Sequence, residues 1–520
     1  MFDKSIKLIK KFNIILIMKN EKYLDFGTAG IRGVLGPNND QLNENYIYQI
    51  AHGIAKYINK NKLKKLVVIG RDNRRKSQDF ALLFAQILAK NGIKVFYSKE
   101  ITPTPFLSYL ILQLQATIGI NVTASHNPAV YNGVKLYNKN ANQMLPDEIK
   151  KLKSYFQPFK NILNDLKEFN PHENIIYVNE EFKRNYIKSL TNLFPVKIQS
   201  DLKIAYSPQH GTGAYYVRDI LYPIIDLKNV YFCPLQMVED QNFTHSPNPN
   251  PESIDAYKEL LEIAKKHDDI DLLITTDPDS DRVGIMVKHN NKFELLDGNQ
   301  TATIIFDYLL KNTKNLSNKY MIYSYVSSNL PAIMAKKHNV KVYEVPTGFK
   351  WIGDSINNIK DMEHLFSFEE SYGSLIDSSL ARDKDALQSL VVLVKIAQEC
   401  KNKNITLLDL LEQIYQKYSY VKSKTISKEV TDMALIKVIK DKFLNIKFPD
   451  DKITMMDYSK LENNPTEMIK YKLLGDSWIA YRPSGTEPKI KFYLFALNGN
   501  EKESQDKLNL FENIIKNLSS

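Results

Sequence analysis

The chain has 520 residues, and a prior of about one domain per 100 to 200 residues excludes a single compact core. With 43% hydrophobic and 25% charged residues, its composition excludes the disordered and fibrous classes. The formal net charge is +11, but the basic residues are scattered along the chain, which disfavours nucleic acid as a partner.

Two features, the cysteines and the N-terminus, predict a cytoplasmic protein with no membrane partner. Cys233 and Cys400 are far apart and lack metal-site spacing, which is typical of a reducing compartment. The N-terminal stretch KSIKLIKKFNIILIMKN combines basic residues with an apolar run that is too short to span a membrane, and no small-residue cleavage site follows it. We interpret the stretch as a helix or an extension, with Met18 as an alternative start.

The rest of the chain repeats one pattern of strand, loop and helix. In LKKLVVIGRDNRRKS a buried strand leads into a loop at residues 70–75, and the helix SQDFALLFAQILAKNG and the strand KVFYS follow. The same order recurs at DLKIAYSPQHGTG, IDLLITTDPDSDR and NKYMIYSYVSSN. The repetition predicts three successive α/β domains with mixed sheets and a C-terminal α+β domain. We expect them to span residues 18–195, 196–300, 301–415 and 416–520.

Loops at the carboxyl ends of strands are where open α/β sheets bind ligands, and one of them is VTASHNPAVYNGVK. It places Ser125 beside His126. On an extended backbone adjacent side chains point to opposite faces, so His126 is badly placed to act as a hydrolase base for Ser125. The nucleophile-elbow pattern G-x-S-x-G is also absent. By itself, the stretch is typical of a turn that ends a strand.

Three carboxylates follow the predicted strand IDLLI. In TTDPDSDR the residues Asp277, Asp279 and Asp281 are two apart, so an irregular loop can bring them around one hard cation. An EF-hand is excluded because its sixth and twelfth positions would be Arg282 and Lys288 instead of Gly and Glu. A solvated acidic turn is the alternative. The position at a strand end favours Mg²⁺, which with three protein ligands needs a further oxygen such as phosphate.

Three further loops offer groups that bind phosphate or sugar. FGTAGIRG (residues 26–33) and RPSGTEPK (residues 482–489) each combine glycine and a hydroxyl residue with an arginine, a combination suited to phosphate oxygens. Neither matches the P-loop or the G-x-G-x-x-G pattern. FEESYG (residues 368–373) has carboxylates and a hydroxyl that suit sugar hydroxyl groups, although a charged helix start is the alternative interpretation.

Six motifs in chain order resemble those of the α-D-phosphohexomutases, in the phosphoglucomutase/phosphomannomutase branch: T-A-S-H-N-P, D-P-D-S-D-R, T-G-F-K, F-E-E-S-Y-G, R-D-K-D and R-P-S-G-T-E-P. The resemblance runs from about Tyr23 to the C-terminus. It implies four domains around a central cleft with a phosphoserine and Mg²⁺ at its floor. Ser125 would carry the phosphoryl group, and a phosphoserine oxygen would join Asp277, Asp279 and Asp281 as Mg²⁺ ligands.

The resemblance also implies roles for residues of the other motifs. Around the transferring phosphoryl group it places Arg32, His126, Lys135 and Arg282, with His126 or Lys135 in proton transfer. The residues implied to contact the sugar are Gly348, Glu369 and Ser371, and Lys384 would contact the sugar or transfer a proton. The phosphate that is not being transferred would bind Arg482, Ser484, Gly485 and Thr486.

These roles lead to a hypothesis of phosphoryl transfer between positions of a hexose phosphate. Phospho-Ser125 would donate its phosphoryl group to a hexose monophosphate, and the bound 1,6-bisphosphate would turn round and return its other phosphoryl group. Glucose 1,6-bisphosphate, or an analogous sugar bisphosphate, would act as activator. The alternatives are a phosphopentomutase of the same family, a metal-dependent sugar phosphatase, which leaves the Arg482 loop without a role, and a non-catalytic sugar-phosphate sensor. The sequence leaves the preferred sugar and the oligomeric state open.

Overall fold

The computed structural model describes residues 22–161, 172–193, 198–430, 433–448, 453–462, 465–483 and 489–519. Its strands form sheets of seven, five, four and five strands, each built from one successive stretch of the chain. We refer to each sheet with its helices as units I to IV. The predicted fold class is confirmed, whereas the domain limits stay a prediction. The N-terminal stretch with Met18, and the residues Ser484, Gly485 and Thr486, lie outside the described residues.

Unit I consists of β1 (Phe26–Gly27), β2 (Gly30–Val34), α1 (Glu44–Lys60), β3 (Leu66–Arg71), α2 (Ser77–Lys90), β4 (Lys94–Tyr97), α3 (Thr104–Leu114), β5 (Ile118–Val122), β6 (Tyr131–Tyr137), α4 (Pro146–Lys153), β7 (Ile175–Tyr177) and α5 (Glu180–Thr191). The strand order is β1-β2-β6-β5-β3-β4-β7. β3 and β5 are parallel and buried throughout, as expected for strands covered by helices on both faces. The loop predicted to begin at Gly70 begins after Arg71, because both residues still pair with β5.

Unit II consists of β8 (Ile204–Ser207), α6 (Val217–Leu221), β9 (Val230–Phe232), α7 (Lys258–Lys266), β10 (Leu272–Thr276), β11 (Val283–His289) and β12 (Lys292–Leu296). The order is β12-β11-β10-β8-β9. β10 pairs in parallel with β8 and antiparallel with β11, so the sheet is mixed. The acidic loop, residues 277–282, therefore joins two adjacent antiparallel strands at the carboxyl end of β10.

Unit III consists of α8 (Gly298–Asn312), β13 (Lys319–Ser324), α9 (Leu330–Lys337), β14 (Lys341–Val345), α10 (Phe349–Asn358), β15 (Glu363–Glu369), β16 (Gly373–Leu375), α11 (Ala386–Asn402) and α12 (Leu407–Lys417). The order is β14-β13-β15-β16, with only β16 antiparallel to its neighbour. The stretch FEESYG links β15 to β16 as a turn, so the alternative of a helix start is wrong.

Unit IV consists of β17 (Tyr420–Glu429), α13 (Met433–Leu444), β18 (Thr454–Asp457), β19 (Ile469–Lys472), β20 (Trp478–Pro483), β21 (Lys489–Asn498) and α14 (Glu501–Ser519). Its strands, in the order β17-β21-β20-β19-β18, pair antiparallel throughout. Among the described residues, short 3-10 helices span Phe159–Asn161, Thr212–Tyr215, Leu227–Asn229, Ile254–Tyr257, Tyr458–Lys460 and Leu474–Asp476.

Units I to III share one continuous hydrophobic core. Phe106 on α3, Tyr206 on β8 and Leu390 on α11 belong to the same cluster of buried side chains. Unit IV has its own clusters, and one of them includes Tyr325 of unit III beside Trp478. Within the described ranges, no helix is both long enough and apolar enough to cross a membrane.

A buried lysine joins units III and IV. The Lys470 ammonium on β19 donates to the Tyr325 carbonyl at 2.8 Å and to Glu344 at 2.9 Å. It also lies 4.0 Å from the centre of the Trp478 ring. Charge-assisted hydrogen bonds and a cation–π contact both gain from exclusion of water, so this group is a strong point of attachment for unit IV.

We therefore predict that Lys470→Met lowers the free energy of unfolding by about 1–3 kcal/mol, because two hydrogen bonds to a buried charge are lost. The matched control is Lys472→Met, since Lys472 is half exposed and lies 3.9 Å from the same Glu344 carboxylate. The control should change the free energy by no more than about 0.5 kcal/mol. Urea unfolding followed by circular dichroism makes the comparison, and equal effects of the two changes would contradict the prediction.

Candidate active site

Loops from three units meet in one buried site that contains Ser125. The serine loop, residues 123–128, follows β5; the acidic loop follows β10; and the lysine loop, residues 382–385, precedes α11. The Ser125 hydroxyl lies 2.8 Å from Asp277 Oδ2 of the acidic loop, and both residues are buried. The predicted serine and acidic motifs are therefore in direct contact although 152 residues separate them.

The serine loop is a turn rather than extended backbone, which corrects the premise that His126 points away from Ser125. Ser125 has a φ of +52°, in the left-handed region that L-residues rarely adopt. Its N–H donates to the Thr123 hydroxyl at 2.8 Å. This turn brings His126 Nδ1 to 3.4 Å from Ser125 Oγ. The strained turn thus presents the hydroxyl and the imidazole to the same volume.

Arg74 fixes the serine loop, a role that the sequence does not reveal. Its buried guanidinium donates to the carbonyl oxygens of Ser125 and Asn127, and also to those of Pro128 and Tyr131. Its Nε pairs with Asp72 at 3.0 Å. The residue lies in the stretch RDNRR, which the sequence analysis interpreted only as the loop between β3 and α2. An arginine fork that binds four carbonyl groups holds the loop in one conformation.

The acidic loop fits a divalent metal ion. One carboxylate oxygen from each of Asp277, Asp279 and Asp281 lies within 4.8 Å of the other two. Asp277 Oδ1 accepts the N–H groups of Asp281 and Arg282 and so closes the loop. Oδ1 of Asp279 and Oδ1 of Asp281 are buried without a hydrogen-bond partner in the described part of the chain. Buried carboxylate oxygens without donors are costly, and a hard cation would satisfy them.

Unit I also contributes to the acidic loop through hydroxyl and amide groups that the sequence analysis did not identify. The Thr104 hydroxyl, at the start of α3, donates to Asp279 Oδ2 at 2.6 Å. Asn121 on β5 donates to the same hydroxyl at 2.9 Å. Neither residue type stands out in the sequence, because threonine and asparagine at element ends are common caps and turn residues.

Two buried lysines from different units converge on the acidic loop. Lys135 Nζ lies 2.6 Å from Asp279 Oδ2 and 2.8 Å from Asp281 Oδ2, and Lys384 Nζ lies 3.2 Å from the same Asp281 oxygen. Burial alone would lower the pKa of Lys135, but the charges of Asp279 and Asp281 raise it above its ordinary value. Although burial opposes it, the two ammonium groups hold the pKa of Asp281 well below its usual range. This network keeps both lysines charged.

The predicted arginines, Arg32 and Arg282, lie near the serine loop. Arg32 on β2 donates to Asn127 Oδ1 at 3.1 Å, and its buried Nε has no hydrogen-bond partner within the described ranges. Arg282 pairs with Glu252 at 2.8 Å. Burial and then the charges of Arg282 and Arg32 lower the pKa of His126 well below its ordinary value. The imidazole is therefore neutral and surrounded by positive charge.

The predicted sugar residues Gly348 and Glu369 are in contact. The Gly348 N–H donates to Glu369 Oε1 at 2.6 Å. Gly348 has a φ of +111°, and a Cβ there would come within 2.9 Å of the Thr28 methyl group, so only glycine fits. Burial raises the pKa of Glu369 to about 7. Ser371 lies in the turn between β15 and β16. The hydroxyl of Thr347, which precedes Gly348, is buried without a partner in the described chain.

Arg482 lies near the end of β20 in unit IV and is half-buried. It hydrogen bonds with the Tyr493 hydroxyl. Burial and the charges of Glu370 and Glu252 raise the pKa of this hydroxyl to about 12, although the charge of Arg482 opposes the increase. Arg482 therefore contacts a hydroxyl group whose pKa also depends on Glu370, in the sugar turn, and on Glu252, the carboxylate partner of Arg282. The other residues predicted for this phosphate, Ser484, Gly485 and Thr486, lie outside the described part of the chain.

Comparisons with known proteins agree with this arrangement. Three stretches match the family descriptions "Phosphoglucomutase/phosphomannomutase, alpha/beta/alpha domain" I, II and III over residues 24–161, 184–291 and 297–418. The phosphomannomutase of Mycoplasmoides pirum is 35% identical over 96% of this chain and 96% of its own length. The phosphoglucomutase of Staphylococcus haemolyticus is 36% identical over 94% of this chain and 93% of its own.

The fold has solved counterparts as well. The open form of pp63/parafusin, a phosphoglucomutase from Paramecium, superposes with a TM-score of 0.73 and covers 96% of each chain at 19% identity. This likeness concerns the fold, because the identity is low. The sequence matches extend over nearly the whole length of this chain and of its relatives. The chain therefore belongs to the phosphoglucomutase/phosphomannomutase family of α-D-phosphohexomutases.

Proposed function

We propose that the chain interconverts hexose 1-phosphate and hexose 6-phosphate through a phosphoserine at Ser125 and a bound 1,6-bisphosphate. The observation that carries the proposal is the contact of the buried Ser125 hydroxyl with the acidic loop, 2.8 Å from Asp277, in a site lined by basic side chains. A metaphosphate-like transition state spreads negative charge over three oxygens and needs cations more than a strong nucleophile. Arg32, Arg282 and the lysine pair supply those charges.

In the first half-reaction the phosphorus–Oγ bond of phospho-Ser125 breaks and a bond to the free hydroxyl oxygen of the hexose monophosphate forms. The proton of that hydroxyl passes to a neutral base, a role open to the His126 imidazole as it stands and to Lys135 or Lys384 only after the ammonium has given up a proton. Ser125 Oγ keeps the electron pair of the broken bond and takes up one proton to become the serine hydroxyl again. The bisphosphate then turns round, and the reverse transfer phosphorylates Ser125 again and releases the isomer. A sugar bisphosphate that enters from solution can phosphorylate an unphosphorylated Ser125 by the same step, which makes it an activator.

Asp277, Asp279 and Asp281 are the proposed ligands of Mg²⁺, together with a phosphoserine oxygen. The buried Oδ1 atoms of Asp279 and Asp281, which have no donor within the described ranges, support this assignment. When bound, the ion neutralises charge on the phosphoryl oxygens and on the three carboxylates. Basic groups of the chain itself add further positive charge. The lysines pair with the acidic loop, and the Arg32 and Arg282 guanidinium groups lie beside the serine loop.

A second phosphate station separates a mutase from a phosphatase. We assign it to Arg482 and to the neighbouring Ser484, Gly485 and Thr486, with Gly348, Glu369 and Ser371 at the sugar hydroxyl groups. The buried Glu369 carboxylate and the close-packed Gly348 support a sugar site between the two stations. Hexose phosphates are therefore the proposed partners, and a phosphopentomutase of the same family is the alternative. We place the enzyme in the cytoplasm, which the two free, buried cysteines support.

The experiment that tests the proposal follows conversion of glucose 1-phosphate to glucose 6-phosphate and release of inorganic phosphate in the same sample. A mutase converts the sugar with little release of phosphate, a phosphatase releases phosphate, and a sensor does neither. Parallel assays with mannose 1-phosphate and ribose 1-phosphate establish the preferred sugar. Turnover of ribose 1-phosphate alone would establish the phosphopentomutase instead.

The first prediction from the proposed function concerns Ser125. Intact mass spectrometry of the active enzyme should show one added phosphoryl group that Ser125→Ala lacks, and the variant should be inactive. Ser154→Ala is the control, because the Ser154 hydroxyl is exposed and donates to the Lys151 carbonyl. It should retain both the added mass and the activity. Full activity of Ser125→Ala would refute the phosphoserine mechanism.

The second prediction concerns the metal. Exhaustive treatment with EDTA should abolish turnover, and Mg²⁺ should restore it. Asp279→Asn should reduce kcat by about two orders of magnitude, because charge stabilisation in the transition state is lost while the Thr104 contact can persist. Asp271→Asn, in which the lost carboxylate pairs with Lys401 at 2.8 Å outside the site, is the control and should leave kcat unchanged. Undiminished turnover in EDTA would show the metal assignment to be wrong.

The third prediction concerns Arg482. Arg482→Lys keeps the charge but loses the bidentate fork, at a cost of about 1–3 kcal/mol in phosphate binding. The variant should still transfer the phosphoryl group from Ser125, but with a higher KM and more free 1,6-bisphosphate released per turnover. Lys491→Met removes the exposed cation opposite Arg482 on β21 and serves as control. If Arg482→Lys and the control release equal amounts of bisphosphate, the second station lies elsewhere.

A further inference from the structure

Two tyrosines of unit I reach across to the lysine loop of unit III, one on each side of Lys384. The Tyr137 hydroxyl, at the end of β6, donates to Asp383 Oδ2 at 2.8 Å. The Tyr186 hydroxyl, on α5, donates to Asp385 Oδ2 at 2.7 Å. All four of these side chains are buried. Phenol-to-carboxylate hydrogen bonds without competing water are among the stronger polar contacts in proteins, so both tyrosines constrain this loop.

The two carboxylates contact different groups. Asp383 Oδ1 accepts the backbone N–H of Lys384 at 2.8 Å and lies 3.4 Å from its Nζ. Asp385 Oδ1 instead accepts the N–H groups of Leu387 and Gln388, and so caps α11. The Asp383 carboxylate therefore contacts the Lys384 ammonium directly, whereas the Asp385 carboxylate stabilises the start of α11.

The strand β6 connects Tyr137 to the rest of the site. Lys135 and Tyr137 are two residues apart on this strand, so their side chains lie on the same face of the sheet. Lys135 Nζ lies 2.8 Å from Asp281 Oδ2, the same oxygen that Lys384 Nζ approaches to 3.2 Å. β6 thus carries the Lys135 ammonium itself, and it contacts the Lys384 ammonium indirectly, through Tyr137 and Asp383.

We infer that Tyr137 is a positioning residue for Lys384: its hydroxyl fixes Asp383, and Asp383 holds the Lys384 ammonium against the acidic loop. The inference rests on the proposed function for its effect on catalysis. Without the hydroxyl, Asp383 Oδ2 keeps one donor, Gln143 Nε2 at 2.7 Å. The carboxylate can then rotate, and Lys384 loses a fixed partner. Tyr186 makes a contact of the same kind but does not act on the ammonium, which makes it the matched control.

Catalysis is tested with a double-mutant cycle. Tyr137→Phe should lower kcat/KM for the hexose phosphate about tenfold, the size expected for loss of one hydrogen bond to a buried charge. In a Lys384→Met background the same change should cost less than about twofold, because Tyr137 acts only through the ammonium group. Tyr186→Phe should lower the melting temperature and change kcat/KM by less than about twofold. A full tenfold loss in the Lys384→Met background would overturn the inference.

A chemical measurement tests the position of Lys384 independently of activity. Trace labelling with acetic anhydride, read by mass spectrometry of the Lys384 peptide, should be several-fold faster in Tyr137→Phe than in the wild type and unchanged in Tyr186→Phe. Equal labelling in all three proteins would overturn the inference, whatever reaction the enzyme performs. If Tyr137→Phe is poorly folded, Asp383→Asn replaces it in both measurements. The results expected for Asp383→Asn are the same as those for Tyr137→Phe. An inactive wild type with the predicted labelling would refute the proposed function alone.

Discussion

The site depends on a balance of buried charge between units. Three aspartates come from unit II, Lys135 from unit I and Lys384 from unit III, and all five side chains are buried. Burial and the charges of Asp281 and Asp279 raise the pKa of Asp277 well above its ordinary value. Buried charges are tolerated only when they are paired and hydrogen bonded, because the desolvation penalty of each is large. The packing of units I to III therefore brings the charged groups of the site together. The ion pairs between these groups in turn stabilise that packing.

The units meet where they do because of the topology of unit I. β5 ends in the serine loop and β6, its antiparallel neighbour, carries Lys135 and Tyr137, so two adjacent strands supply contacts to the acidic loop and to the lysine loop. The start of α3 supplies Thr104 to the same acidic loop. The shared hydrophobic core of units I to III holds these elements in place, whereas unit IV, with its separate cores, is attached through Lys470 and the Tyr325 cluster. This division suits the proposed mechanism, in which a sugar bisphosphate turns round between two phosphate stations.

The fold and the loops were predictable from the sequence because each depends on local patterns. Apolar runs specify the strands, and the carboxylates of TTDPDSDR stand at a strand end in the structure as expected. The left-handed turn at Ser125 was not predictable, because Thr123 and the distant Arg74 impose it and the residue types themselves favour other conformations. Arg74, Thr104 and Tyr137 escaped notice for a related reason: their roles come from partners far away in the chain. The second phosphate station stays a prediction, with only Arg482 among the described residues.

In the proposed mechanism, a phosphoryl group on Ser125 and a divalent cation at the acidic loop balance each other's charge in one buried site. Binding free energies that are coupled in this way are reciprocal, so phosphorylation must change the affinity for the ion. The direct measurement is calorimetric titration of Mg²⁺ into the phosphorylated enzyme and into enzyme whose phosphoryl group has been removed by excess hexose monophosphate. We predict that the phosphorylated form binds Mg²⁺ at least about tenfold more tightly. Equal dissociation constants for the two forms would contradict the account.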